Sequence, residues 1–446
     1  MKVIMVGAGP TGLTLGAALA GRGHRVVAVD RDPGPQSDAV WRRRGVMQFD
    51  QAHGFRPQVR DLLLAEWPAA WDAWIELGAQ LVELPTPDGS PPAVGVRSRR
   101  VTYERALRRA ASGADGLRLV VGNVERLVEQ HGRVEGVVVD GSQMSADLVI
   151  DASGRVTRLA APPELDADVG MAYVSRTYRR HKNAPPGPIS GPVAWTAMLR
   201  GYDTYVFPHD RRHISAVVIR PTADRELGAL RHPDAFEAAA RAIPGLAEWT
   251  DPSVSTPTSE VRVGGGMRNI YRPQAARPGL VAVGDAVSTT APTAGRGVAM
   301  ASMQIRALLD LLDGGASPST IAEPFGDWCD VWIRPWVEDH LALDAESVRR
   351  WQGEDIDLTR PLTSAAIVAA ARADPRIEAH IADFLMMTAL PESLRPAEPL
   401  ARAVYEAGWR LPIADGPSRD ELVDIGRTAI AHLPPRAGRL WERLAS

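Results

Sequence analysis

The sequence predicts an α/β fold in three parts: a discontinuous Rossmann-like domain over 1–165 and 276–320, an antiparallel-sheet domain inserted at 166–275, and a helical C-terminal region at 321–446. Three observations carry this reading. The chain opens with an apolar run, a glycine-rich turn, an apolar-periodic stretch and a second apolar run that closes on an acid, which is the start of a βαβ unit. The texture of the middle third changes to alternating polar and apolar residues, the signature of half-buried antiparallel strands. Beyond Gly297 apolar residues recur mainly at helical spacing.

Taken in order, Val3–Val6 reads as a strand, Leu13–Ala20 as a helix stopped by Gly21 and Gly23, and Arg25–Val29 as the next strand, ending in Asp30. The stretch from Gln48 to Leu81 reads as helical and loop-rich, with Trp67, Trp71 and Trp74 on one helical face as core. A Pro-rich loop, Pro85 to Pro92, leads to a basic helix over 102–111. Short strands follow at 117–121, 125–129 and 136–139, and Leu148–Ile150 is a buried strand running into Asp151. In the inserted region 172–178, 194–200, 204–207 and 213–219 read as sheet, interrupted by a helix at 235–243. A buried strand at 280–283 returns the chain to the first domain. Further on, Pro335 must kink or end the helix that carries Trp328 and Trp332.

Composition narrows the function classes. The 446 residues carry a formal net charge of -3, with 24% charged and 45% hydrophobic residues, so there is no electrostatic footprint for nucleic acid and small molecules are the expected partners. Cys329 is the single cysteine, which excludes intramolecular disulfides and cysteine-based metal sites, and no metal site is expected. That usage fits a reducing cytoplasm. Met1–Ala20 has the look of a signal peptide, yet its apolar run is broken by Gly7, Gly9 and Gly12, whose loss would remove the best motif in the chain. No targeting segment and no membrane span are expected.

The chemistry rests on three remote motifs. In Gly7-Ala8-Gly9-Pro10-Thr11-Gly12, Gly7 permits the tight turn, Gly9 lets backbone approach a pyrophosphate and Gly12 allows close helix–strand packing. The helix N-terminus then faces a phosphate pair, and Asp30 stands where an acid accepts from a ribose hydroxyl. This motif alone leaves NAD and FAD open. The second is Asp151-Ala152-Ser153-Gly154-Arg155 and the third Gly284-Asp285-Ala286, followed by Pro292 and Gly295-Arg296-Gly297.

In order and spacing the three motifs resemble the para-hydroxybenzoate-hydroxylase-like flavoprotein monooxygenases, over about residues 1 to 345. The resemblance implies one FAD bound by all three motifs, making the first part of the chain an FAD-binding domain and the inserted sheet a substrate domain. It places Asp151 and Gly154 near the pyrophosphate and the nicotinamide entry, Arg100 on the cofactor, and Val124 where backbone meets the adenine. Asp285 at a strand end would accept from ribityl hydroxyls. The loop Pro292 to Gly297 opens a helix whose N-terminal amides would stabilise anionic reduced flavin by about 1 kcal/mol. The resemblance further implies reduction by NAD(P)H, directly or through a separate flavin reductase, reaction with oxygen at flavin C4a, and transfer of one oxygen atom to a small organic, apolar substrate, by hydroxylation or epoxidation. The substrate is expected near Pro292.

Arg43-Arg44-Gly45-Val46-Met47-Gln48 followed by His53 resembles, in part, a segment of bacterial flavin epoxidases. That likeness puts Arg43 and Arg44 at the cofactor and offers His53 two roles, an imidazole that orients substrate or relays a proton, or a satisfied structural histidine. Two positions depart from the hydroxylase pattern: Ser288 stands where many carry His, and Arg296 where Gln is usual. Arg296 could balance anionic flavin, bind an acidic substrate, or lie on the surface. Two other reactions share the site: an FAD-dependent reductase without oxygen insertion, and a flavin halogenase. The latter would need a tunnel lysine and a Trp-x-Trp-x-Ile-Pro segment; the only lysines are Lys2 and Lys182, and Trp328 to Pro335 does not match that segment.

Overall fold

The computed structural model describes residues 1–37, 40–43, 45–84 and 92–431. Two compact units are present. Of the described residues, the first comprises those in 1–169, 267–344 and 358–409; the second comprises those in 170–266, 345–357 and 410–431. The stretch 321–446, set apart on sequence as one helical region, is thus divided between them.

A five-stranded parallel sheet forms the centre of the first unit, in the order Leu280–Ala282, Leu148–Asp151, Lys2–Val6, Arg25–Asp30, Leu117–Val121. Its strands are short runs rich in Val, Ile and Leu, and Leu280–Ala282, Leu148–Asp151 and Lys2–Val6 are almost wholly buried, as expected of a parallel sheet covered on both faces. The register brings Val6 beside both Val29 and Asp151, and Asp151 beside Ala282, so the carboxyl ends of these strands finish at one level. One face carries a cluster of Ile4, Val6, Val29, Val149 and Leu280 with Val134, Val137 and Val139 from the antiparallel strand Arg133–Val139. Among the helices of this unit are Pro10–Gly21, Arg100–Ala111 and the long Gly297–Asp313.

The helical expectation for Gln48 to Leu81 resolves into two helices, Pro57–Glu66 and Pro68–Glu76, each opened by a proline that gives up no intrahelical donor. Trp67, Trp71 and Trp74 are all buried, and the Trp74 ring lies 4.6 Å from Tyr103 and 4.9 Å from Phe55. These tryptophans are core. Pro335 falls in the first turn of Arg334–Trp351, separating it from Ala322–Trp332.

In the second unit Trp195–Leu199, Tyr202–Pro208, His213–Pro221, Met171–Arg180 and Ser255–Pro257 form an antiparallel sheet in that order. Apolar residues of this sheet pack against Phe236, Ala239 and Leu246 of two short helices and against Leu422 and Val423 of Arg419–Ala431. The sequence had closed the inserted sheet at 275, but Leu165–Asp168, Arg268–Tyr271 and Ser288–Thr289 pair as a small sheet of the first unit. These two-to-four-residue strands are too short for a period to show in sequence.

Candidate functional site

The three motifs meet. Each follows the carboxyl end of one of three adjacent parallel strands, the place where open α/β sheets bind ligands. Gly7 has φ +103°, and a Cβ there would stand 2.5 Å from the Ala152 carbonyl oxygen, so the first turn is wedged directly against the central motif. A Cβ on Gly284 would lie 2.8 Å from Thr11 Oγ1, which places the late motif against the first helix. A Cβ on Gly12 would fall 2.0 Å from Gly7 O, so strand end and helix pack at a distance that only hydrogen allows. At Gly9 a Cβ would meet only the Arg43 guanidinium, at 3.6 Å. The face of the turn beside Gly9 is therefore open apart from one cation, which fits a diphosphate.

Beside the turn, Asp30 Oδ2 accepts from the Ala8 amide (2.7 Å) and from Arg43 Nη2 (3.0 Å), and Oδ1 accepts from the Asp32 amide. Arg43 also donates to Glu104 through Nη1, and Arg100 Nε donates to Glu104 at 2.6 Å. Burial works against the charge on Arg43, but Glu104, Asp30 and Asp32 outweigh it and hold its pKa above the ordinary value. Glu104, nearly inaccessible, is thus the anion that sets two candidate cofactor arginines in place. The sequence displays it only as the acid four residues after Arg100. Arg44 lies outside the described residues.

Asp151 is fully buried, and its carboxylate serves its own turn: Oδ1 accepts from Ser153 N (3.0 Å) and Oγ (2.6 Å), and Oδ2 from Thr157 Oγ1. Gly154 lies inside that turn with φ +88°. Val124 opens the strand Val124–Gln130 and packs on the core cluster, close to Asp30, whose carbonyl accepts from the Gly122 amide at 2.9 Å. Asp285 sits in the turn Gly284–Ala286, its carboxyl pushed up by burial and drawn back by Arg100 and Arg155. Those two arginines therefore share the neighbourhood of the late motif. Ser288 is buried and receives a hydrogen bond from Gln304 Nε2 (3.2 Å), while Gln304 Oε1 accepts from the Gly284 amide (2.7 Å). It is part of the loop's support.

His53 has both ring nitrogens engaged. Nδ1 is 3.1 Å from the Gln51 carbonyl and Nε2 is 3.3 Å from Arg100 Nη1. A carbonyl on one side and a guanidinium on the other suit the neutral tautomer with hydrogen on Nδ1. Through Arg100 the imidazole is linked to Glu104 and Arg43, so candidates far apart in sequence form one chain of contacts.

The loop from Pro292 to Gly297 is held from behind. Pro292 is exposed, Gly295 has φ +61°, and Gly297 begins the helix Gly297–Asp313. Arg296 is 4% exposed, so it is no surface residue. Its Nη1 donates to Asp339 Oδ2 (2.5 Å) and its guanidinium lies 4.8 Å from the Trp336 ring and 5.2 Å from Phe384. Arg56 donates to the carbonyls of Ala294 (2.8 Å), Gly295 (3.3 Å) and Leu385, tying loop to the end of the helix Glu378–Met386. Burial, with Arg296 nearby, pushes Arg56 down to about 10. Arg56, Asp339 and Phe384 were missed on sequence because their partner loop is remote and no local pattern announces it.

No helix among the described residues is long and apolar enough to cross a membrane, and no cluster of His, Cys, Asp or Glu among them could hold a metal ion.

Comparison with known proteins agrees with this architecture. Residues 97–164 match the family model described as tryptophan halogenase. No curated protein sequence matches the chain. Among solved structures, the flavin-dependent brominase Bmp2 superposes with TM-score 0.64 at 15% identity, covering 91% of this chain and 99% of the brominase. PqsL, a probable FAD-dependent monooxygenase from Pseudomonas aeruginosa, gives TM-score 0.59 at 16% identity over 79% of this chain and 98% of its own. The myxobacterial chondrochloren halogenase CndH gives 0.57 at 17% identity, with 97% of each chain covered. The fold is therefore the one shared by FAD-dependent monooxygenases and flavin-dependent halogenases, broader than the para-hydroxybenzoate-hydroxylase type that the motifs alone resemble.

Proposed function

We propose that this chain is an FAD-dependent oxidoreductase that transfers one oxygen atom from O2 to a small organic substrate, with NAD(P)H as the source of electrons. The observation that carries the reading is the meeting of Gly7–Gly12, Asp151–Arg155 and Gly284–Asp285 at the ends of three adjacent strands. When bound, FAD would supply the redox and oxygen-activating chemistry. Around it, Gly9 and the following helix N-terminus would receive the diphosphate, with Arg43 as the balancing cation. Asp30 would accept from the ribose and Asp285 from the ribityl chain. Arg100, bonded to His53 and Glu104, would lend positive charge near Asp285, and the amides at Gly295–Gly297 would offer donors to the pyrimidine edge.

A second reading, halogenation, is supported by the match over 97–164 and by the brominase likeness. The lysines weigh against it. Lys2 begins the strand whose far end carries Gly7, about 16 Å away at strand rise, and Lys182 is an exposed residue after Arg180 in the second unit.

One experiment separates these readings. The purified protein, saturated with FAD, is expected to show flavin absorption, to bleach on addition of NADPH without oxygen, and to recover with peroxide release when oxygen enters. Protein that takes up no flavin refutes the proposal at its root. Bleaching that oxygen does not reverse favours a reductase, bleaching only by free reduced FAD indicates a separate flavin reductase, and bromination of an aromatic probe in the presence of bromide favours the halogenase.

A further inference from the structure

Arg56 stands on a fixed mount and gives its whole side chain to backbone carbonyls. On one side Phe55 pairs with Val96 through its amide (3.0 Å) and its carbonyl (2.9 Å), and on the other Pro57 begins the helix Pro57–Glu66. From that mount Nη2 donates to the Ala294 carbonyl (2.8 Å), Nε to the Gly295 carbonyl (3.3 Å) and Nη1 to the Leu385 carbonyl. Gln58 Nε2 takes the next carbonyl of the same helix end, that of Met386 (2.5 Å). Arg43 and Arg296 each have a carboxylate partner, in Glu104 and Asp339. Among the described residues no carboxylate pairs with Arg56, and burial and the neighbouring Arg296 both work against its charge.

What offsets those costs is a set of dipoles. The Leu385 and Met386 carbonyls end the helix Glu378–Met386, where a cation is favoured, and the other two oxygens belong to the loop. A cation held by dipoles and not by a counter-ion keeps a positive potential that reaches beyond its own contacts. Each peptide group carries its carbonyl and its N–H on opposite edges of one plane. The Ala294 carbonyl shares its peptide with the Gly295 amide, which donates to the Pro292 carbonyl (3.0 Å) and closes the turn. The Gly295 carbonyl shares its peptide with the Arg296 amide. Fixing both oxygens therefore fixes both amides, and a charge on the oxygen side polarises the N–H on the other. Gly295, exposed and with φ +61°, is where a peptide could otherwise turn over and show oxygen in place of N–H.

We propose that Arg56 is a positioning residue that sets the polarity of the loop Pro292 to Gly297: by holding the carbonyls of Ala294 and Gly295 it keeps the Arg296 amide for the pyrimidine edge of the flavin, and so makes the protein favour reduced, anionic FAD over oxidised FAD. The flavin named here rests on the FAD reading; the hold on the loop is a property of the protein alone.

The test has a protein-only arm and a ligand arm, both on the full chain. In flavin-free protein, hydrogen exchange of the segment 290–297 is read by mass spectrometry, with the strand Lys2–Val6 as the reference for global opening. Exchange in the loop should be about tenfold faster in R56M than in wild type while the reference strand keeps pace, and equal loop exchange overturns the hold. In the ligand arm, dissociation constants are measured for oxidised and for anaerobically reduced FAD. R56M should weaken the reduced form about tenfold more than the oxidised form, so the midpoint potential of bound flavin falls by about 30 mV for a two-electron couple. R56K keeps the cation and should recover most of that shift. R56Q keeps a donor without the charge and should not recover it; it takes the place of R56M if that variant fails to fold. Equal weakening of both forms with an unmoved midpoint, or a loss that R56K does not recover, would reduce Arg56 to a structural brace and overturn the proposal. If wild type binds no FAD, the cofactor reading fails while the exchange result still decides the hold on the loop.

Discussion

Replacing Arg296 by Met should destabilise the protein by about 3–5 kcal/mol, while the double replacement R296M/D339L should recover most of that loss. The two side chains are 5% and 6% exposed and pair at 2.5 Å, so removing the cation leaves a carboxylate deep in the first unit with no counter-charge. Removing both leaves two apolar groups beside Trp336 and Phe384, which already flank the guanidinium. Equilibrium urea titrations of wild type, both single variants and the double give the coupling directly. The same four proteins separate two roles for Arg296. If the residue only shapes the loop, the stable double variant binds FAD as wild type does. If its charge faces the flavin, the double variant folds well yet binds reduced FAD more weakly. A double variant as unstable as the single would mean that Asp339 is not the partner that matters.

How much of this was legible in the sequence depended on distance along the chain. The parallel strands and the glycine turn were readable because a fully buried strand is a local apolar run and a dinucleotide turn is a local glycine pattern. The three motifs became one site only through their order, a property that survives large insertions. What escaped was the support. Glu104 joins Arg43 to Arg100, Asn269 joins Asp344 to Ala291, and Arg56 binds carbonyls of two remote segments. None of these pairings follows from periodicity, because a long polar side chain that reaches a distant backbone looks, in sequence, like any surface residue. Arg296 is the clearest case. An arginine between two glycines gives no local sign of burial, yet it is among the most enclosed charges described in the chain.

The pair Gly12→Ala and Gly9→Ala should part folding from cofactor binding. At Gly12 the added methyl would stand 2.0 Å from the Gly7 oxygen and 3.1 Å from its carbonyl carbon. Both are backbone, and Gly7 is itself pinned against Ala152, so the turn cannot retreat. Relief requires the helix Pro10–Gly21 to lift from the sheet, at a cost of about 3 kcal/mol or more, the upper range for overpacking. G12A should therefore melt at lower temperature and lose FAD together. At Gly9 the backbone is ordinary, with φ −75°, and the methyl would meet only the guanidinium of Arg43, at 3.6 Å, an ordinary van der Waals distance. G9A should melt as wild type does. It nevertheless places a methyl on the face assigned to the diphosphate, where an amide must approach an oxygen to about 2.9 Å, so FAD affinity should drop at least tenfold, and G9D should abolish binding through added negative charge. Calorimetry in the absence of flavin and fluorescence titration with FAD measure the two effects separately. Undiminished affinity in G9A and G9D would mean that the diphosphate does not lie on this turn, and the site built from the three motifs would have to be abandoned.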